Sequence, residues 1–139
     1  MKPALRPLFK NVDCLRLYIP DLQRGMEYYR DGLGLKVIWK TESAIGLGMG
    51  DHRTEVVLQN NDQWSEIDIQ VDSVAEAVKT IATAGGTIVY GPFDIPIGKG
   101  AVVKDPWGNQ YVILDATKGT LITDGEGNIV GQKKLRSLR

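Results

Sequence analysis

The chain has 139 residues, 42% hydrophobic and 24% charged, proportions that fit one globular domain or two small modules sharing a core. Seventeen basic residues balance seventeen acidic ones, so no charge excess points to nucleic acid or a membrane surface as partner. No apolar run reaches membrane-spanning length, Met1–Pro7 lacks an apolar leader, and the single Cys14 has no intrachain disulfide partner; a cytoplasmic protein is expected.

Residues 1–8 read as an arm, because Pro3 and Pro7 cannot donate to a sheet. From Val12 to Ile19 the alternation predicts a strand, with Leu15, Leu17 and Ile19 on one face and Cys14, Arg16 and Tyr18 on the other. A helix is predicted over 22–31, capped by Asp21, with an apolar stripe of Leu22, Met26, Tyr29 and Leu33, and with Gly32 and Gly34 as the stop. Three strands follow, over 35–40, 44–49 and 54–59, and the polar run Asn60-Asn61-Asp62-Gln63 separates the halves. The second half predicts a strand over 65–71 with Ile67, Ile69 and Val71 inward and Glu66, Asp68 and Gln70 on the other face. A helix over 73–84 buries Val74, Val78 and Ile81 and ends at Gly85-Gly86; strands over 87–90, 101–104 and 110–114 complete the unit. Beyond Asp115, residues 117–139 read as a hairpin around Asp124-Gly125-Glu126-Gly127 and a solvated basic tail from Gln132 to Arg139.

Each half is therefore strand, helix, then three strands. A shift of about 52 residues lays Cys14–Ile19 over Glu66–Val71, and a slightly different offset lays Val57-Leu58 over Val112-Ile113. A repeat of that period, present twice, predicts a pseudo-symmetric pair of modules.

The run from Val12 to Leu22, then Tyr28-Tyr29 and Gly32-Leu33-Gly34-Leu35, resembles the first module of the vicinal oxygen chelate superfamily, which contains glyoxalase I, the bleomycin-resistance proteins and the extradiol dioxygenases. In the second half, Val71-Asp72, Ala84-Gly85-Gly86 and Asp105-Pro106-Trp107-Gly108-Asn109 resemble the second module. The resemblance implies an α+β fold: one glyoxalase-like domain over 9–116, with βαβββ modules over 9–60 and 63–116 forming a curved mixed sheet around a cavity. It also implies a homodimer, as is common for members of this length.

Metal-dependent members carry ligands at four equivalent strand positions, which map to Cys14, Val57, Glu66 and Val112. Only Glu66 is of the usual type; a slip of two residues would bring Glu55 to the second position. Two valines cannot coordinate, so no metal and no other cofactor is expected. His52, the only histidine, falls in the turn Gly50-Asp51-His52-Arg53, and no Ser-His, Cys-His or phosphate-loop arrangement is present.

Catalytic residues stay unassigned. Ligand-binding candidates are Cys14, Arg16, Glu55, Glu66 and Asp68, with aromatic cover from Trp39 or Tyr90. Cys14 also reads as a small buried hydrophobe, and the Glu66 face as a solvated one. The expected function is metal-independent binding of a small organic molecule in the cavity, without nucleic acid or membrane as partner. The alternative is a lyase, isomerase or dioxygenase-like enzyme with an atypical metal site or a Glu/Asp general base.

Overall fold

The computed structural model describes residues 6–133; residues 1–5 of the arm and 134–139 of the basic tail lie outside them. Eight strands form one sheet: β1 (Asn11–Tyr18), β2 (Lys36–Lys40), β3 (Ala44–Gly48), β4 (Glu55–Gln59), β5 (Glu66–Gln70), β6 (Thr87–Ile95), β7 (Gly98–Lys104) and β8 (Gln110–Leu114). Their order across the sheet is β2-β3-β4-β1-β5-β8-β7-β6. Strand β1 runs parallel to β4, β5 runs parallel to β8, and β1 meets β5 antiparallel at the centre. The fold is α+β.

The register makes the repeat concrete. Leu15 lies opposite Ile67 across the β1–β5 seam, and these residues are 52 apart in the chain. The local two-fold axis therefore passes through that pair. Arg16 pairs with Val57 and Asp68 with Val112, the two equivalent steps from a central strand to its parallel neighbour.

Two helices pack on one face of the sheet, each over its own half. Helix α1 (Leu22–Met26) starts where Asp21 Oδ1 accepts from the N–H groups of Gln23 at 3.1 Å and Arg24 at 3.3 Å. It continues as a π-helical turn, Glu27–Gly32, in which Leu33 N–H donates to Tyr28 O at 3.0 Å. That widening corrects the expected stripe. One extra residue per turn rotates Leu33 into solvent and brings Leu35 onto the core of Ile45, Leu47, Val56 and Leu58. Helix α2 (Val74–Thr83) buries Val74, Ala77 and Ile81 against Val71, Val103 and Ile113, with Val78 at the margin. Its first N–H, at Val74, donates to Asp115 Oδ2 at 2.7 Å.

A second correction falls at the seam. Ile67, expected inward, is 48% exposed, and neither Leu15 nor Ile67 joins an apolar cluster. Each helix covers its own half, so the axis between them stays bare.

The last strands, β9 (Thr120–Thr123) and β10 (Ile129–Lys133), form a separate two-stranded sheet. It is tied back to the domain. Lys40 N–H donates to Gly127 O at 2.9 Å, and Gln132 Nε2 reaches Pro96 O at 2.8 Å and the carbonyls of Lys118 and Gly119 at 3.1 Å. Its turn duplicates an earlier one. Asp105 and Asp124 each accept, at Oδ1, the N–H groups two and four residues on, all at 2.9 Å. Asn109 and Asn128 return Nδ2 bonds to the same carboxylates, and Gly108 (φ 92°) and Gly127 (φ 88°) take the left-handed position that each turn requires.

Candidate functional site

The face of the sheet opposite the helices closes around a cavity of about 570 Å³. Trp39 of β2 and Phe93 of β6, on the two edge strands, both line it, which is possible only because the sheet curls. Its floor is Val57 and Val112; its far wall is apolar chain from Ile95 to Ile97 together with Leu121 of the C-terminal hairpin. Thr120 and Thr123 add hydroxyls to that wall.

Strand alternation delivers the polar groups. Cys14, Arg16, Glu66 and Asp68 project inward from the paired centres of β1 and β5, and Glu55 from β4 stands beside Cys14. The Cys14 thiol donates to Asp68 Oδ2 at 3.3 Å. Arg16 Nε lies 3.6 Å from Glu66 Oε2. Trp39 Nε1 donates to Glu55 Oε1 at 2.7 Å. The indole packs against Gly46, where any side chain would overlap it.

Asp68 is the electrostatic centre. Its side chain is nearly inaccessible, 5% exposed, and Oδ1 has no hydrogen-bond partner. Burial is the largest cause pushing its pKa up, to about 8, with the neighbouring Glu66 carboxyl adding to the rise and Cys14 and Arg16 opposing it. At neutral pH Asp68 is therefore mostly protonated. Burial likewise raises Glu55, against the Trp39 bond, and Asp13, against Cys14. The Cys14 thiol is pushed far above its ordinary range, first by burial and then by the negative fields of Asp68 and Asp13.

Six of the seven ligand-binding candidates read from the sequence, Cys14, Arg16, Trp39, Glu55, Glu66 and Asp68, line this cavity. Tyr90 does not: it is 66% exposed and packs its ring on Phe93 at 5.5 Å. The register of β6 against β7 shifts between Tyr90 and Phe93, so strict alternation fails there and Phe93 takes the inward place. Asp13 also reaches the cavity, because β1 bulges between Val12 and Cys14. His52 lies in its turn at φ 58°, away from the cavity.

Residues 11–113 match the family model of the Glyoxalase/Bleomycin resistance protein/Dioxygenase superfamily. The chain belongs to that superfamily. It is 27% identical over 114 residues to metapyrocatechase 2 of Cupriavidus necator, covering 75% of this chain but 36% of that protein, so this chain spans about a third of that relative's length. It is 27% identical over 119 residues to lactoylglutathione lyase of Salmonella typhimurium, covering 72% of this chain and 88% of the lyase. Methylmalonyl-CoA epimerase from Mycobacterium tuberculosis has the same fold, with a TM-score of 0.68 at 12% identity over 81% of this chain and 92% of that one.

The superfamily implies a divalent metal, and the side chains here do not fit one. Val57 and Val112 hold two of the four ligand positions and offer no donor. The Cys14 thiol is held protonated, and Glu66 already faces the Arg16 guanidinium. Glu55, the alternative second donor, is engaged by Trp39. Among the described residues no group of three or more His, Cys, Asp or Glu side chains is arranged to hold a metal ion. None of their helices is long and apolar enough to cross a membrane.

Proposed function

We propose that this superfamily member binds a small organic molecule in its cavity without a metal ion. The observation that carries the reading is the valine pair, Val57 and Val112, flooring a cavity of about 570 Å³ where metal-dependent relatives place ligands. A cavity of that size suits a drug-sized guest, with an apolar body and a few convergent polar groups for orientation. The protein acts in the cytoplasm on this reading, and two copies pair; exposed Val89 and Tyr90 on edge strand β6 offer apolar surface for pairing. Sedimentation as a monomer at micromolar concentration would overturn the dimer.

The test is a thermal-shift screen of chelator-treated protein with electrophilic thiol conjugates, aromatic antibiotics and catechols. A ligand at about 100 times its Kd adds about 2.7 kcal/mol of stability. A shift that survives the chelator and disappears in Val112→Trp, which fills the floor, is the expected result. Shifts seen only after adding back a divalent metal would overturn the reading.

A second reading rests on Asp68. A carboxyl with a pKa near 8 that lines the cavity can pass a proton to and from a bound carbon acid. Exchange of an activated C–H of a bound ligand with deuterated solvent, abolished in Asp68→Asn, would mark the protein as an isomerase or lyase.

A further inference from the structure

The cavity wall is far more acidic than the molecule. The chain as a whole is neutral, yet five carboxyl groups, those of Asp13, Glu55, Asp62, Glu66 and Asp68, line the cavity against a single guanidinium, Arg16. Arg16 is already opposite Glu66, and its Nε is 3.6 Å from that carboxylate. The remaining acids face a wall built largely from Phe93, the 95–97 segment and Leu121, so little solvent screens them from one side. Asp68 adds the pointed observation. Its side chain is 95% buried, it lines the cavity, and its Oδ1 has no partner.

We propose that the cavity selects organic cations: a protonated amine on an apolar, preferably aromatic, body, with the ammonium seated against Asp68 Oδ1 and the body between Trp39 and Phe93. The proposal rests on the reading of the cavity as a ligand pocket and adds the charge class of the ligand. Three features agree with it. An ammonium supplies the donor that the buried oxygen lacks, which a neutral or anionic head group does not supply as strongly. It balances the acid excess that Arg16 leaves. Aromatic rings on both edge strands give the cation and its body π faces to rest on.

Binding would move a proton. The titratable and charged groups around Asp68 in the cavity are Glu66 on its own strand, Asp13, Cys14 and Arg16 on β1, and Glu55 on β4, whereas β8 brings only the apolar Val112 and Leu114. With a pKa near 8 in the empty cavity, Asp68 is mostly protonated at pH 7 and must release that proton to solvent when the ammonium arrives. Affinity for a cation that stays protonated therefore rises with pH up to about 8, by roughly tenfold from pH 6.5 to 8.

The test holds the apolar body fixed and varies the head. 1-Naphthylmethylamine, 1-naphthylmethanol and 1-naphthoate are titrated into the full chain at pH 6.5 and pH 8, with affinity followed by naphthalene fluorescence and calorimetry. The expected result is amine binding at least tenfold tighter than either analogue, with proton release and the pH rise above. Asp68→Asn, whose folding is checked by circular dichroism, should lose both the preference and the pH rise. Equal or tighter binding of the alcohol or the naphthoate overturns the charge assignment while leaving the cavity reading intact. An amine preference unchanged in Asp68→Asn overturns it too. Failure of all three to bind also overturns it, and the chelator screen then decides separately whether the cavity takes ligands at all. The comparison on the unsubstituted chain stands even if the Asp68 variant does not fold.

Discussion

Cys14 and Asp68 face each other across the β1–β5 seam, the thiol donating to the carboxylate at 3.3 Å from a strand position directly opposite. The bond leaves one carboxylate oxygen of Asp68 satisfied and the other bare. Burial, more than the bond, keeps both groups protonated in the folded protein, and each can be checked by its chemistry.

Cys14 should resist alkylation. Its pKa is raised by burial and by the Asp68 and Asp13 carboxylates, so almost no thiolate exists at pH 8. Mass spectrometry after iodoacetamide treatment should show an unmodified folded chain and a single adduct in denaturant. Rapid modification of the folded protein would sink the assignment.

Asp68 should make stability fall with rising pH. Its folded pKa lies above the ordinary carboxyl value of 3.8, at about 8, so between those values the folded protein holds a proton that the unfolded chain has lost. The contribution is fully present below the ordinary value and is lost as pH rises through about 8, by at most about 1.4 kcal/mol per pH unit. Asp68→Asn should therefore melt several degrees higher than the parent at pH 8 and close to it at pH 5. Parallel melting curves across that range would contradict this.

Asp115 should behave in the opposite sense. Burial alone would raise its pKa, but it accepts from Val74 N–H at 2.7 Å, Lys99 N–H at 3.0 Å and Thr117 Oγ1 at 2.8 Å, and these bonds hold it below the usual range. Asp115→Ala strips the first N–H of α2 and its neighbours of their acceptor, at a cost of about 3 kcal/mol near neutral pH. The deficit should shrink as pH falls through the folded pKa, because the parent loses the same contribution there. Urea unfolding at pH 7 and pH 3 measures both.

Gly46→Ala should disturb the cavity more than the fold. The added methyl overlaps the Trp39 indole, which must swing away and give up its 2.7 Å bond to Glu55. Tryptophan fluorescence should shift to the red while far-ultraviolet circular dichroism holds. An unchanged emission spectrum would mean that the indole is not pinned over Gly46.

How far the sequence carried this picture depended on whether the chain kept strict periodicity. Where it did, as in Cys14–Tyr18 and Glu66–Gln70, alternation placed the cavity residues correctly, and the 52-residue shift that laid Leu15 over Ile67 agrees with the register across the seam. Irregularities hid the rest. The bulge at Val12–Cys14 brings Asp13 to the cavity, the β6 register shift exchanges Tyr90 for Phe93, and the π-helical turn moves Leu33 outward. Docking of the C-terminal hairpin leaves no periodic trace, because it depends on single bonds such as those of Gln132. Yet the pattern Asp-x-x-Gly-Asn occurs in both turns, at 105–109 and 124–128, and was there to be noticed.

The two-fold axis at Leu15 and Ile67 has a directional consequence. A perfectly mirrored pocket would accept any lopsided guest in either of two poses, and half its encounters would be wasted. Here the mates across the axis differ, Arg16 answering to Asp68 and Cys14 to Glu66, and the hairpin walls off one side without a counterpart on the other. Duplication built a shape with two ways round; divergence at facing positions, and an appended stretch of chain, left it with a compass.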